Sequence, residues 1–307
     1  MKHHTPNEQP VIFSCEDSEL LGIIHSPGEA SEYGLLTLVA GGPQYRGGCG
    51  RQLVSMARAL SASGIPVMRF DHRGLGDSGG KFLGFQHVEK DLRAAIECFK
   101  TSDPRVKKVV LWGGCDAASA VMINAWKFSD VAGFIVGNPF VSSEETQSIV
   151  AKEHYRKRLM EWSFWRKILM FEFDYSNYVQ SYFSRLRNLK KERDKKKVSG
   201  SEPGSSDSYI DRMLLGMRNF KGPVLFIMSG QSLVSKEFDA LVAVSSDWNE
   251  AYSRHANARV DLPEADQTFS SQESRDSVNT SVRDWIFSIR NADGEIGDLK
   301  QSLGSAL

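Results

Sequence analysis

What the sequence lacks already narrows the class of protein. It has no excess charge, because 38 Lys and Arg balance 38 Asp and Glu, so no overall attraction to nucleic acid or to an anionic membrane is expected. It also has no apolar run of about 18 residues, the length of a membrane-spanning helix. With 41% hydrophobic and 25% charged residues, a mainly disordered or collagen-like chain is excluded.

Cysteine and histidine are scarce, and neither shows the spacing of a metal site. No CxxC pair occurs, so the sequence predicts no metal and no cofactor. Residues 1–10 are polar and lack the apolar core of a signal peptide, and we therefore expect a cytoplasmic protein whose cysteines are free thiols. The cysteines are Cys15, Cys49, Cys98 and Cys115.

Short apolar runs alternate with stretches of helical periodicity along the chain. This alternation predicts an α/β fold, in which helices flank a mostly parallel sheet. The predicted strands are 20–25, 35–40, 66–70, 108–112, 132–136, 224–228 and 258–262. Because parallel strands end at one edge of a sheet, ligand chemistry is expected in the loops at their carboxyl ends.

Helical stripes of apolar residues lie between these strands. They cover 53–60, 88–99 and 278–289, with spacings that place the apolar side chains on one face. Ser270 and Glu273 have the spacing of a capping box before the last of these helices. The apolar pattern ends at Asn291, and we expect a mobile tail over 291–307.

The alternation is interrupted between the strands at 132–136 and 224–228. The interruption predicts a core made of 11–140 and 222–290, with a helical cap inserted at 141–221. The cap is rich in aromatic and basic residues. We expect its aromatic side chains to pack on the main domain; the alternative is peripheral contact with an anionic membrane or a lipid-linked substrate.

A sharp strand-to-helix turn is predicted around Cys115. After a predicted strand, Gly113, Cys115 and Ala117 follow two residues apart, and an alanine-rich helix comes next. This is the pattern of a nucleophile elbow. The helix N-terminus favours a thiolate, and the N–H of Asp116 is expected to donate to an oxyanion. The alternative is a buried structural cysteine at a tight turn.

Two glycine-rich loops follow earlier strands. The first, at 41–48, is where a second oxyanion donor is expected; Pro43 has no N–H, so Gly42 or Gln44 must supply it, and we assign the role to Gly42. In the second loop, at 70–80, we interpret Asp71 and Arg73 as structural residues.

Together these motifs resemble the α/β-hydrolase superfamily, in particular the first of two hydrolases associated with the exosortase A system. The resemblance covers about residues 11 to 290 and is carried by the segments 41–46, 69–74, 115–119, 138–141, 229–231, 236–238 and 265–270, with cap residues around 154–165. It implies an α/β-hydrolase fold and an acyl hydrolase linked to exopolysaccharide synthesis and to the sorting of PEP-CTERM proteins.

The sequence departs from that family at the partners of the nucleophile. Gln267 stands where such hydrolases carry a histidine, and Ser232 stands where they carry the acid that orients it. Glutamine cannot accept and return a proton near neutral pH, so the usual general base is missing. His255 precedes the last strand and should lie at the wrong end of the sheet, whereas His154 in the cap could approach Cys115.

The predicted activity is therefore hydrolysis or transfer at an ester or thioester carbonyl, with Cys115 as the nucleophile and weak turnover. Its partner would be a small acyl or lipid-linked substrate, not nucleic acid. The alternative function is a non-catalytic protein on the same fold that binds an acyl or glycolipid ligand.

Overall fold

The computed structural model describes residues 7–28, 31–41, 44–141, 208–255 and 258–304. Contacts divide the chain into a unit of Met1–Thr146 with Tyr209–Leu307 and a second unit of Gln147–Ser208. The fold below is that of the first unit. Residues 142–207, which make up most of the predicted cap and include His154, lie outside the described residues.

The described residues contain an eight-stranded sheet in the order β1-β2-β4-β3-β5-β6-β7-β8. Strands β3 to β8 are parallel to one another, and β1 and β2 join them as an antiparallel edge. The strands are β1 Asn7–Cys15, β2 Ser18–Ser26, β3 Tyr33–Leu38, β4 Val67–Phe70, β5 Lys108–Gly114, β6 Val131–Gly137, β7 Val224–Ser229 and β8 Ala258–Leu262. This confirms the predicted mostly parallel sheet, because each predicted run overlaps a strand.

Strand β1 was not predicted from the sequence. It is an edge strand that pairs only with β2 in the sheet order, and most of its residues are exposed. Its sequence therefore lacks the continuous apolar run of a central strand such as β3 or β7, in which every residue is buried. Pro10, which cannot donate to a ladder, is compatible with this edge position.

Helices cover both faces of the sheet. Alternate residues of β5 point to opposite faces: Val110 and Trp112 pack in a core cluster with α1 and α7, whereas Val109 and Leu111 pack in a second cluster with the other helices. The helices are α1 Gln52–Ala62, α2 Glu89–Ser102, α3 Asp116–Asn124, α4 Tyr209–Asn219, α5 Leu233–Val244, α6 Ser246–His255 and α7 Gln272–Gly304. No helix among the described residues is long and apolar enough to cross a membrane.

The last helix differs from the sequence prediction at both ends. The N–H of Ser274 donates to the hydroxyl of Ser271 at 3.1 Å, whereas the hydroxyl of Ser270 turns back to Asp266. The predicted capping box at Ser270 is therefore wrong. Helix α7 also continues to Gly304 through most of the segment predicted as a tail, and Asp293 pairs there with a lysine of β5.

Helix α4 lies within the range 141–221 that the sequence assigned to the cap, yet it packs on the core. Met213 and Met217 are fully buried, and α4 contacts α3 closely. At the closest point a Cβ added to Gly216 would lie 1.9 Å from the carbonyl oxygen of Met122. Gly216 is therefore required for the close approach of these two helices.

We predict that Gly216→Ala destabilises the protein. In an exposed helix this change stabilises by about 1 kcal/mol, but here the added methyl group must push the two helices apart, a form of overpacking that typically costs about 1–3 kcal/mol. Urea unfolding of the two proteins measures the difference. Leu215→Ala, at a neighbouring exposed position, is the control and should change stability far less. Equal or higher stability of Gly216→Ala would contradict the close packing.

Candidate active site

The turn between β5 and α3 places Cys115 at the carboxyl edge of the sheet. Its backbone has φ 58° and ψ −121°, a strained conformation for a residue with a side chain. A Cβ on Gly113 would lie 2.4 Å from the carbonyl oxygen of Ala117, so strand and helix can meet only because Gly113 has no side chain. The Cys115 N–H donates to Gly137 O at 2.8 Å, which helps to hold the strained turn.

Cys115 lines a cavity of about 260 Å³. Most of the described lining is apolar and aromatic, and Asp116 is the only charged side chain in it. The exposed thiol of Cys49 lines the same cavity. The other described lining residues are Leu38, Val39, Ala40, Gly41, Gln44, Gly48, Gln52, Leu53, Phe85, Trp112, Gly114, Phe140, Gln267, Thr268 and Phe269.

The structure brings Gln267 and Cys115 together. The side-chain Nε2 of Gln267 donates to Cys115 Sγ at 3.3 Å. Gln267 lies in the turn after β8, where the carboxylate of Asp266 accepts hydrogen bonds from the N–H groups of Thr268 and Ser270 at 2.9 and 3.0 Å. The amide is thus held where it can stabilise negative charge on the sulfur, but it is not a base.

Asn138 ties this turn to the loops after β6 and β7. Its Nδ2 donates to Gln267 O at 2.9 Å and to Ser229 Oγ at 2.7 Å, and its Oδ1 accepts from Ser229 N and Ser235 Oγ. Asn138 is fully buried with a positive φ, which asparagine tolerates better than most residues. Sequence reasoning gave this residue no role, although a polar residue directly after the buried strand β6 was the available signal.

Ser232, predicted to stand where the acid would be, has a different role. It is the N-cap of α5, and its hydroxyl oxygen accepts a hydrogen bond from Ser235 N at 3.4 Å. Its side chain is buried, and no described hydrogen bond joins it to Gln267. In this part of the structure Ser232 therefore acts as a helix cap.

The carboxylate of Asp116 is hydrogen-bonded to the first glycine of the loop at 41–48. Its two oxygens lie 3.2 and 3.1 Å from the N–H of Gly41, which donates to them. The sequence had assigned a role only to the backbone N–H of Asp116, which the structure places beside the Cys115 thiol. Gly42, the other predicted donor, lies outside the described residues.

The electrostatics of the thiol differ from the sequence prediction. Burial raises the pKa of Cys115, and the neighbouring Asp116 carboxylate raises it further, whereas the Gln267 amide and the Asp116 N–H lower it. The net direction is upward, opposite to the thiolate preference that the helix N-terminus alone predicts. Burial also raises the pKa of Asp116, and the hydrogen bond from Gly41 partly offsets that effect.

The histidines within the described residues do not line the cavity. His25 and His72 are buried and hydrogen-bond to Arg69 and to the carbonyl of Val39, respectively. His255 contacts Met217 O at 2.9 Å at the end of α6, in agreement with its predicted position away from the site. Among the described residues, no group of three or more His, Cys, Asp or Glu side chains could hold a metal ion.

Asp71 and Arg73 have the structural roles that the sequence predicts. The buried carboxylate of Asp71 accepts hydrogen bonds from the backbone N–H and the guanidinium of Arg46, and from Asp77 N at 3.1 Å. Arg73 pairs with Asp91 at 2.9 Å. Since Arg46 belongs to the glycine-rich loop, Asp71 fixes that loop beside the cavity.

We predict that two substitutions shift the titration of Cys115 in opposite directions. Asp116→Asn removes a negative charge that raises the pKa, so alkylation by iodoacetamide, which requires the thiolate, should begin at lower pH than in the wild type. Gln267→Ala removes a donor that lowers the pKa and should shift the profile to higher pH. Peptide mass spectrometry of the Cys115 adduct gives the rates, with Cys98, which does not line the cavity, as an internal reference.

The prediction depends on the two contacts acting with opposite sign. Profiles that move in the same direction, or do not move, would contradict the opposite effects assigned to the two contacts.

Comparison with known proteins agrees with this architecture. The profile of the family described as "Serine aminopeptidase, S33" matches residues 46–201, about half of the chain. An esterase from Pyrococcus furiosus is similar in structure, with a TM-score of 0.60 and 17% identity over 92% of this chain and 91% of its own. A dienelactone hydrolase from Anabaena variabilis is similar with a TM-score of 0.56 and 14% identity over 93% and 99%, respectively.

At such identities the likeness to solved structures shows the fold alone. No curated protein sequence matches the chain. The predicted α/β-hydrolase fold is confirmed by the sheet, the flanking helices and these structural relatives. By the family profile, the chain belongs to the serine aminopeptidase S33 family of α/β hydrolases.

Proposed function

We propose that this α/β hydrolase acts on an ester or thioester carbonyl with Cys115 as its nucleophile. The observation that carries the proposal is the placement of Cys115 on a strained strand-to-helix turn, at the cavity, with the Gln267 amide 3.3 Å from its sulfur. A strained turn of this kind is the device by which the fold exposes a nucleophile. A cysteine with a purely structural role would not require this strained turn.

The chemistry begins with attack of the Cys115 sulfur on the carbonyl carbon. The N–H of Asp116 and, in our proposal, that of Gly42 donate to the developing oxyanion. A thiol is nucleophilic without a strong base nearby, so an activated ester can acylate it even where glutamine stands at the position of the usual histidine. Hydrolysis of the acyl-thioester is then the slow step.

The apolar lining points to an uncharged acyl group as the substrate. The described cavity has room for a short acyl chain, and the carboxylate of Asp116 disfavours an anionic one. From the sequence resemblance we further propose a role in exosortase-linked exopolysaccharide or PEP-CTERM systems, in the cytoplasm. In such a system, the substrate would be a small acyl or lipid-linked molecule. A lipid-linked substrate would require contact between the cap and a membrane, whereas a small acyl molecule would not.

One observation favours a second function, the binding of an acyl or glycolipid ligand without catalysis. The Asp116 carboxylate already accepts the Gly41 N–H, and no histidine of the described residues lines the cavity. A site that had lost turnover could keep its cavity and bind a ligand there. The two functions differ in whether Cys115 forms a covalent adduct.

We predict that p-nitrophenyl acetate acylates Cys115. Intact-mass spectrometry should show the mass of one acetyl group on the wild type and none at that position in Cys115→Ala, because the sulfur is the attacking atom. Cys49→Ala is the matched control, since it removes the other thiol of the cavity and should leave the Cys115 adduct in place. Ligand binding with no adduct and no turnover in the wild type would instead support the binding protein.

We also predict that Gln267→His raises steady-state turnover. The amide nitrogen lies 3.3 Å from the sulfur, so an imidazole on the same turn can reach it and act as a general base, an effect typically worth about 10²-fold or more. Release of p-nitrophenol gives the rate. Gln267→Asn, which shortens the side chain and brings no base, is the control. Equal rates for the two variants would show that position 267 does not serve the reaction.

A further inference from the structure

The proposed reaction needs a group that accepts a proton when water attacks the acyl-enzyme. Among the described residues that line the cavity, only Asp116, Cys115 and Cys49 can titrate. Cys115 carries the acyl group at that stage. The choice is therefore between a thiol and the carboxylate next to the nucleophile in sequence.

We propose that the carboxylate of Asp116 is the proton acceptor of this site and activates the water that hydrolyses the acyl-Cys115 thioester. The inference rests on the proposed function and deepens it, because it names the residue that acts as the general base in that reaction. It also gives Asp116 a second role besides its backbone N–H.

The position of the carboxylate supports this role. Asp116 is the first residue of α3, directly after the nucleophile, and its side chain lines the same cavity. Its oxygens accept the N–H of Gly41 at 3.2 and 3.1 Å, which fixes the carboxylate at the wall of the cavity. A carboxylate oxygen has two lone pairs, so each can accept a further hydrogen bond from water.

The surroundings of Asp116 favour the uptake of a proton. Its described hydrogen bonds come from backbone N–H groups, and no ion pair with a described cation neutralises it. Burial therefore raises its pKa above that of a surface carboxylate. A carboxyl group with a raised pKa is a stronger base and can take a proton from water during attack.

Gln267 complements this role without duplicating it. Its amide donates to the sulfur and can stabilise the thiolate that leaves when the acyl group is released. A single histidine normally acts first as a base and then as a donor. Here Asp116 would be the base and Gln267 the donor.

The step balances in atoms and protons. Water attacks the acyl carbon as one of its protons passes to the Asp116 carboxylate, and a new C–O bond forms. The C–S bond to Cys115 then breaks, and the sulfur leaves as a thiolate. The proton on Asp116 passes to the sulfur, which restores the thiol and the carboxylate and releases the carboxylic acid.

Asp116→Asn in the full chain separates acylation from deacylation. Asparagine keeps an oxygen that accepts the Gly41 N–H, but it cannot take a proton. With p-nitrophenyl acetate, the burst of p-nitrophenol should persist, because the thiol loses a neighbouring charge that raises its pKa. The steady-state rate should fall about 100-fold, the scale of a lost general base, and acetyl-Cys115 should accumulate in intact-mass spectra.

Two further variants make the result specific. Asp116→Ala should show the same slow deacylation, and added formate should restore it in part, since a free carboxylate can replace the missing base. Asp284→Asn, an exposed carboxylate on α7, is the matched control and should deacylate at the wild-type rate. Thermal unfolding of each variant verifies that it is folded.

The outcomes distinguish this inference from the proposed function. If Asp116→Asn deacylates as fast as the wild type, Asp116 is not the base, although Cys115 remains the nucleophile. Faster turnover in Asp116→Asn would mean that the carboxylate blocks the oxyanion site, which also overturns the inference. Absence of any adduct on the wild type would refute the proposed function and the base together.

Discussion

The close approach of β5 to α3 is the constraint on which the rest of this site depends. A Cβ on Gly113 would overlap the backbone at Ala117, and Cys115 between them has a positive φ. The buried sheet and the apolar face of α3 hold that turn in a conformation that its own residues disfavour. Because the turn is fixed, the thiol and the Asp116 carboxylate enter one cavity from adjacent positions.

A second constraint comes from the hydrogen bonds of Asn138. The buried side chain of Asn138 links the strand ends of β6 and β7 to the turn that carries Gln267. The hydrogen bond from Asn138 to the Gln267 carbonyl helps to hold the turn from which the Gln267 amide reaches the sulfur. The Gln267 amide, which cannot transfer protons as histidine does, therefore has a fixed position beside the sulfur.

The pKa values of the site are set by burial more than by the N-terminus of α3. A helix N-terminus stabilises negative charge, yet Cys115 and Asp116 compete for that stabilisation in a largely apolar cavity, and the pKa of each is raised. A proton is thus held more tightly on both groups than it would be at the surface. In the proposed reaction this favours a carboxylate that accepts a proton and a thiol that regains one.

The sequence alone determined the parallel sheet, the helices on both its faces and the turn at Cys115, because these follow from apolar periodicity and from small residues at fixed spacing. It missed β1, whose edge position removes the apolar pattern, and it misplaced the start of α7 by one serine. Only the tertiary structure decided that Ser232 caps a helix, that Asn138 ties the loops, and that the Asp116 carboxylate reaches Gly41. The Asn138 and Asp116 contacts join residues far apart in the chain, which local spacing cannot show, whereas the role of Ser232 followed from where α5 begins in the structure.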